Sequence, residues 1–108
     1  MTLEWVAYPR AEQDLDEITW YLADQGGDDM ELLFLDTFYA SVERLARSPR
    51  IGWHCRLKNP RLADSRVISI DKPFEKYLIF YTATEQALQI LRVLHGSQDL
   101  EALFEKTN

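Results

Sequence analysis

The stretch Phe74–Gly96, FEKYLIFYTATEQALQILRVLHG, constrains the fold more than any other part of the chain. Two apolar segments rich in aromatic and β-branched residues, Tyr77–Tyr81 and Leu88–Leu94, flank a short polar connection. Such side chains suit a pleated, half-buried surface, so the pattern predicts a strand hairpin. In the second segment Leu88, Ile90, Arg92 and Leu94 share one face, while Gln89, Leu91, Val93 and His95 share the other. Both faces are largely apolar, which predicts a strand in the middle of a sheet. It ends in Arg92, His95 and Gly96. A buried strand gains nothing from a cation and a histidine at its end, so these residues are candidates for contact outside the core.

What precedes the hairpin reads differently. Residues 3–8, LEWVAY, read as a first strand stopped by Pro9, which cannot donate to a ladder. From Pro9 the apolar residues Ala11, Leu15, Ile18 and Leu22 recur at helical spacing and form one stripe. Pro9 suits a first helical turn, and Glu12, Asp14, Asp16 and Glu17 favour the positive end of the helix dipole. Gly26-Gly27 stops this helix, and Asp28 or Asp29 caps a second one. The second helix carries Leu35, Phe38, Val42 and Leu45 on one stripe and ends at Ser48-Pro49. Residues 50–64 show no period and read as a loop. Residues 66–70, RVISI, form a strand, Asp71-Lys72-Pro73 turns the chain, and residues 99–106 form a short closing helix with Leu100, Leu103 and Phe104 inward. The expected architecture is α+β: a small, mainly antiparallel β-sheet with an N-terminal α-helical hairpin on one face, and the other face partly open or covered by a partner.

At 108 residues, without repeats or linker, the chain is expected to form a single domain over 1–108. No apolar run reaches the length of about 18 residues that a membrane span needs, and no signal peptide is visible at the N-terminus. The single cysteine, Cys55, fits a reducing cytoplasm and is expected to be inert. His54, Cys55 and His95 do not have zinc-site spacing, so neither a metal nor another cofactor is expected.

Charge is distributed unevenly. Residues 1–43 carry eleven acids against Arg10, whereas residues 44–76 carry nine bases against three acids. A basic surface on an acidic body suits docking of an acidic partner, and the overall charge of −6 argues against broad affinity for nucleic acid. Within that basic stretch Trp53 is expected to be exposed, as is Trp20, which falls off the first helical stripe. Trp5 is expected to pack near the sheet edge.

Several residues order into a recognisable series: Ala11, Asp14-Leu15, Ile18 and Tyr21; Leu45, Pro49 and Gly52; Arg66; Phe74, Tyr77 and Ile79-Phe80-Tyr81; Arg92-Val93-Leu94-His95-Gly96 and Asp99. In this order and spacing the chain resembles the ParE branch of the RelE/ParE toxin superfamily, over about Leu3 to Asp99. These are small toxins of bacterial type II toxin–antitoxin modules, including plasmid stabilisation systems. The resemblance implies a toxin that inhibits DNA gyrase by protein–protein binding and is neutralised by a cognate antitoxin, as a homodimer or a toxin–antitoxin heteromer. RelE-like relatives instead cut messenger RNA in the ribosome, which requires a base, an acid and clustered cations around the phosphorane-like transition state. Here neutral Gln98 stands where that branch has an arginine, and residues 77–108 offer only Arg92 and Lys106. If the chain were such a nuclease, Arg66, Tyr81 and His95 would carry the chemistry. A third alternative is a degenerate toxin that only binds antitoxin.

The candidates for partner binding are Arg56, Lys58, Arg61, Arg66, Phe74, Tyr77, Arg92 and His95. Each has a structural alternative. His95 can serve as acid or base, given an ordinary pKa near 6.5, or it can hold the turn at Gly96 by bonding a backbone carbonyl. Arg92 can contact a ligand or pair with Asp14 or Glu17, because a buried guanidinium must be paired. Phe74, Tyr77 and Tyr81 can line a groove or belong to the core.

Overall fold

The computed structural model describes residues 2–55 and 64–97. The elements are β1 (Glu4–Ala7), α1 (Pro9–Arg47), β2 (Trp53–His54), β3 (Arg66–Ser69), β4 (Tyr77–Ala83) and β5 (Ala87–His95). The strands form one sheet in the order β1-β5-β4-β3-β2. Pairing is antiparallel except between β1 and β5, where Glu4 to Ala7 run parallel to Ala87 to Ile90. The expected helix at 99–106 lies outside the described residues.

α1 consists of two helical arms that meet at a kink. Gly27 interrupts it at φ 78°, ψ −173°, a conformation essentially confined to glycine. A straight helix of 39 residues would span about 58 Å, whereas the longest dimension of the molecule is 38 Å. The two arms therefore fold back on each other, as Gly26-Gly27 predicts. Both arms turn their stripes to the sheet: Ala11 and Leu22 from the first, and Phe34, Phe38, Val42 and Leu45 from the second, pack with Ile79, Tyr81, Leu88, Ile90 and Val93. Phe34 anchors this layer, meeting Phe74 edge-on at 5.1 Å and Tyr77 at 5.5 Å between ring centroids. No helix among the described residues is long and apolar enough to cross a membrane.

Three features depart from the expectation. Residues 50–64 do not read as a strand, yet Trp53–His54 pairs with Val67 and Arg66 and forms the edge of the sheet. The alternation along β5 does not persist, because Phe80 pairs with Arg92 while Tyr81 pairs with Ile90, leaving Leu91 as an extra residue. This β-bulge shifts the phase: Val93 joins Leu88 and Ile90 in the main core, and Leu94 turns to the opposite face with Phe80. That opposite face is not open at its centre, where Phe80 and Leu94 are 2% and 4% exposed.

Candidate partner-binding site

Among the clefts beside the sheet, two are lined by residues that the sequence singles out. One, of about 620 Å³, opens between the first arm of α1 and the end of β5, lined by Arg10, Glu17, Tyr21, Tyr77, His95 and Ser97 among others. Its floor is an ion pair. Arg92 Nε donates to Asp14 Oδ2 at 2.7 Å and Arg92 Nη2 to Asp14 Oδ1 at 2.9 Å, while the Val93 N–H donates to the same carboxylate at 3.0 Å. The bulge at Leu91 places Arg92 and the Val93 amide against the helix at this point. Arg92 is 3% exposed, and its position is that of a clamp between α1 and β5, the structural alternative foreseen for it.

At the rim of this cleft, His95 holds the turn through Ser97. The Ser97 N–H donates to His95 Nδ1 at 3.1 Å, and Ser97 Oγ lies 2.6 Å from the same nitrogen. Nδ1 thus acts as acceptor, which assigns the proton of the neutral ring to Nε2. Tyr77 meets the imidazole edge-on at 5.1 Å. Burial pushes the Tyr77 phenol above its ordinary value of 10.0, with nearby Tyr21 adding to the rise.

The second cleft, of about 550 Å³, lies at the other end of the sheet, where Pro49, Arg50, His54, Asp64, Arg66 and Glu85 contribute to its walls. Arg66 and Tyr81, cross-strand partners on β3 and β4, grasp the same peptide. Gly52 N–H donates to Tyr81 Oη at 3.0 Å, and Arg66 donates to the Gly52 carbonyl at 2.9 Å. The Tyr81 hydroxyl in turn donates to the Pro49 carbonyl at 2.8 Å, and Arg66 reaches the Arg50 carbonyl at 3.3 Å. A side chain at position 52 would collide with the Tyr81 phenol, so only glycine lets the backbone approach this closely. Burial raises the Tyr81 pKa above 10.0, and the Gly52 hydrogen bond and Arg66 pull it partly back.

The structure therefore separates the residues that sequence alone grouped. Tyr77 pairs with His95, and Tyr81 lies four residues farther along β4, about 13 Å away at the usual rise of a strand. Arg66 and Tyr81 belong to one end of the sheet and His95 to the other. Phe74 is 6% exposed in the core, beneath the second arm, where no partner reaches it while the helices stay in place. Arg56, Lys58 and Arg61 lie outside the described residues. Sequence reasoning missed Gly52, whose role is legible only with Tyr81 beside it, and Arg10, a rim cation 3.8 Å from Asp14. Among the described residues no three His, Cys, Asp or Glu side chains group as a metal site.

The comparisons with known proteins agree with this architecture. The family model described as the ParE toxin of type II toxin–antitoxin systems, parDE, matches residues 8–100. Among solved structures, a chain of the chromosomal ParDE toxin–antitoxin system from P. aeruginosa superposes with a TM-score of 0.69 at 17% identity, covering 87% of this chain and 96% of that one. No curated protein matches. With the match spanning nearly the whole chain, and with the sheet, the folded-back helix and the order of strands in place, the chain belongs to the ParE toxin family of type II toxin–antitoxin systems.

Proposed function

We propose that this toxin acts by gripping a protein partner, with DNA gyrase as the target whose inhibition stalls replication, and that a cognate antitoxin in the same cytoplasm neutralises it by covering the toxin surface. The observation that carries a binding mode without chemistry is the dispersal of the groups cleavage would need. Tyr81 is fully buried and its hydroxyl donates a hydrogen bond to a carbonyl, Arg66 is spent on the Pro49–Gly52 backbone, and His95 stands at the end of β5, opposite Tyr77 and four residues from Tyr81 along β4. Metal-free RNA cleavage needs base, acid and cation within reach of one phosphate, and these three are not. Arg92, Tyr77 and His95 serve in this reading as wall and floor of a cleft that a partner covers. The test is a supercoiling assay with purified gyrase. Supercoiling that falls with added toxin and recovers with antitoxin supports the reading, and unchanged supercoiling at saturating toxin removes gyrase as the target.

A further inference from the structure

We infer that the segment Pro49–Cys55, braced from below by Tyr81 and Arg66, is a docking surface for an acidic protein segment that also carries apolar side chains. The inference deepens the partner-binding reading by naming the surface and the chemistry that fits it. Residues 44–55, RLARSPRIGWHC, contain Arg44, Arg47 and Arg50 and no acid. Arg44 is paired with Asp71 at 2.7 Å, as Arg92 is with Asp14. Arg47 and Arg50 are exposed and make no ion pair among the described residues. Directly after Arg50 stand Ile51, 46% exposed, and Trp53, the most exposed large hydrophobic residue described at 78%.

A lone exposed tryptophan on a mobile loop would lose much of any binding gain to the entropy of ordering. This one does not sit on such a loop. The Gly52 peptide beside it is fixed at both its N–H and its carbonyl, Pro49 and Arg50 are held at their carbonyls, and Trp53 itself is paired to Val67 in β2. Tyr81 and Arg66 are therefore positioning residues: they spend their polar groups underneath so that Arg50, Ile51, Trp53 and His54 face outward on rigid backbone. A preorganised tryptophan three residues from Arg50, a cation without an ion pair among the described residues, is the composition of an interface hot spot. The unpaired cations select an anionic partner. A protein segment is favoured over nucleic acid because the chain carries eleven acids in residues 1–43 and a net charge of −6, which repel a long phosphate backbone.

The test uses the full-length toxin and a fluorescein-labelled peptide of alternating aspartate and leucine, followed by fluorescence anisotropy. A lysine–leucine peptide and a single-stranded oligonucleotide serve as competitors of other chemistry. The acidic peptide is expected to bind in preference to both and to weaken as salt is raised. Trp53→Ala, at a site too exposed to affect folding, is expected to weaken binding about thirtyfold, the scale of a hot-spot residue, and Arg50→Glu at least as much. Arg66→Ala is expected to weaken it while Arg66→Lys, which can still donate to the Gly52 carbonyl, restores it, a pattern that lost stability alone would not give. Equal binding of acidic and basic peptides, preference for the oligonucleotide, or wild-type affinity in Trp53→Ala overturns the proposal. The gyrase assay judges the target separately, since a toxin with another acidic partner would pass this test and leave supercoiling unchanged.

Discussion

Removing one member of the Asp14–Arg92 pair is expected to cost far more than removing both. The two side chains are 3% and 4% exposed, and the carboxylate accepts two guanidinium bonds and one backbone N–H. In Asp14→Leu the Arg92 guanidinium stays buried without its counter-ion, which costs about 3–5 kcal/mol in comparable sites. Against a total stability of about 5–15 kcal/mol, that is a large fraction. Arg92→Met is milder, about 2–4 kcal/mol, because Asp14 keeps the Val93 amide and has Arg10 at 3.8 Å. In Asp14→Leu/Arg92→Met no buried charge is stranded: the Val93 N–H loses its partner, about 1–3 kcal/mol, and the partly exposed Arg10 keeps Glu17 at 4.0 Å. Urea denaturation followed by tryptophan fluorescence reads all four corners of the cycle. Asp14→Leu is expected to lower the midpoint by about 2 M at an ordinary urea slope. The double variant is expected to be more stable than Asp14→Leu alone, with a coupling of at least about 2 kcal/mol. Costs that add to within about 0.5 kcal/mol would refute the view that the pair acts as a mutually compensated unit.

The contribution of Tyr81 to stability is expected to hold below pH 10 and to be lost above it. Burial raises the Tyr81 pKa, so the unfolded chain loses its proton first and the fold weakens by up to about 1.4 kcal/mol per pH unit until the folded pKa is passed. Tyr81→Phe should flatten that limb of a pH–denaturation series; an unchanged slope would contradict it. Phe34→Ala, which removes the ring that Phe38, Phe74 and Tyr77 pack against, is expected to cost about 3–5 kcal/mol, and Trp20→Ser, at a site 74% exposed, less than about 0.5 kcal/mol in the same denaturation assay. Gly27→Ala is expected to cost about 1–2 kcal/mol from backbone strain alone, since φ is 78° and nothing lies within 4 Å of the added methyl. Thermal melts that leave Gly27→Ala unchanged would show that the arms can join in another conformation.

The elements with a repeating pattern were legible before any coordinates. Two helical stripes separated by Gly26-Gly27 and two apolar runs in a hairpin specify the layers, because periodicity reports which face is buried. A pairing of Arg92 with the first helix was legible too, since burial of a cation demands a carboxylate, but the choice between Asp14 and Glu17 needed the structure. What did not show was local geometry without a period. Trp53–His54 is too short to alternate, and its pairing depends on Val67 and Arg66, far along the chain. The bulge at Leu91 leaves no trace in composition; an unbroken alternation would put Arg92 and Leu94 on one face and Val93 on the other. Arg66 and Tyr81 look like functional groups in sequence because polar side chains on strands invite that reading. Their hydrogen bonds to Pro49, Arg50 and Gly52 exist only once the chain has folded over them. Trp20 and Trp53 are as exposed as their positions indicate, and Trp5 packs edge-on against Phe38 at the sheet margin.

The parallel pairing of the first strand with the last described one sets the order in which the protein can be made. Glu4 to Ala7 are made long before Ala87 to Ile90, yet among the described residues these are their only ladder partners. Until that final strand emerges, the N-terminal strand has no neighbour, the acidic arms have no floor, and Asp14 lacks its arginine. The two ends of the described chain must therefore meet before either arm of the helix has a complete floor to pack on.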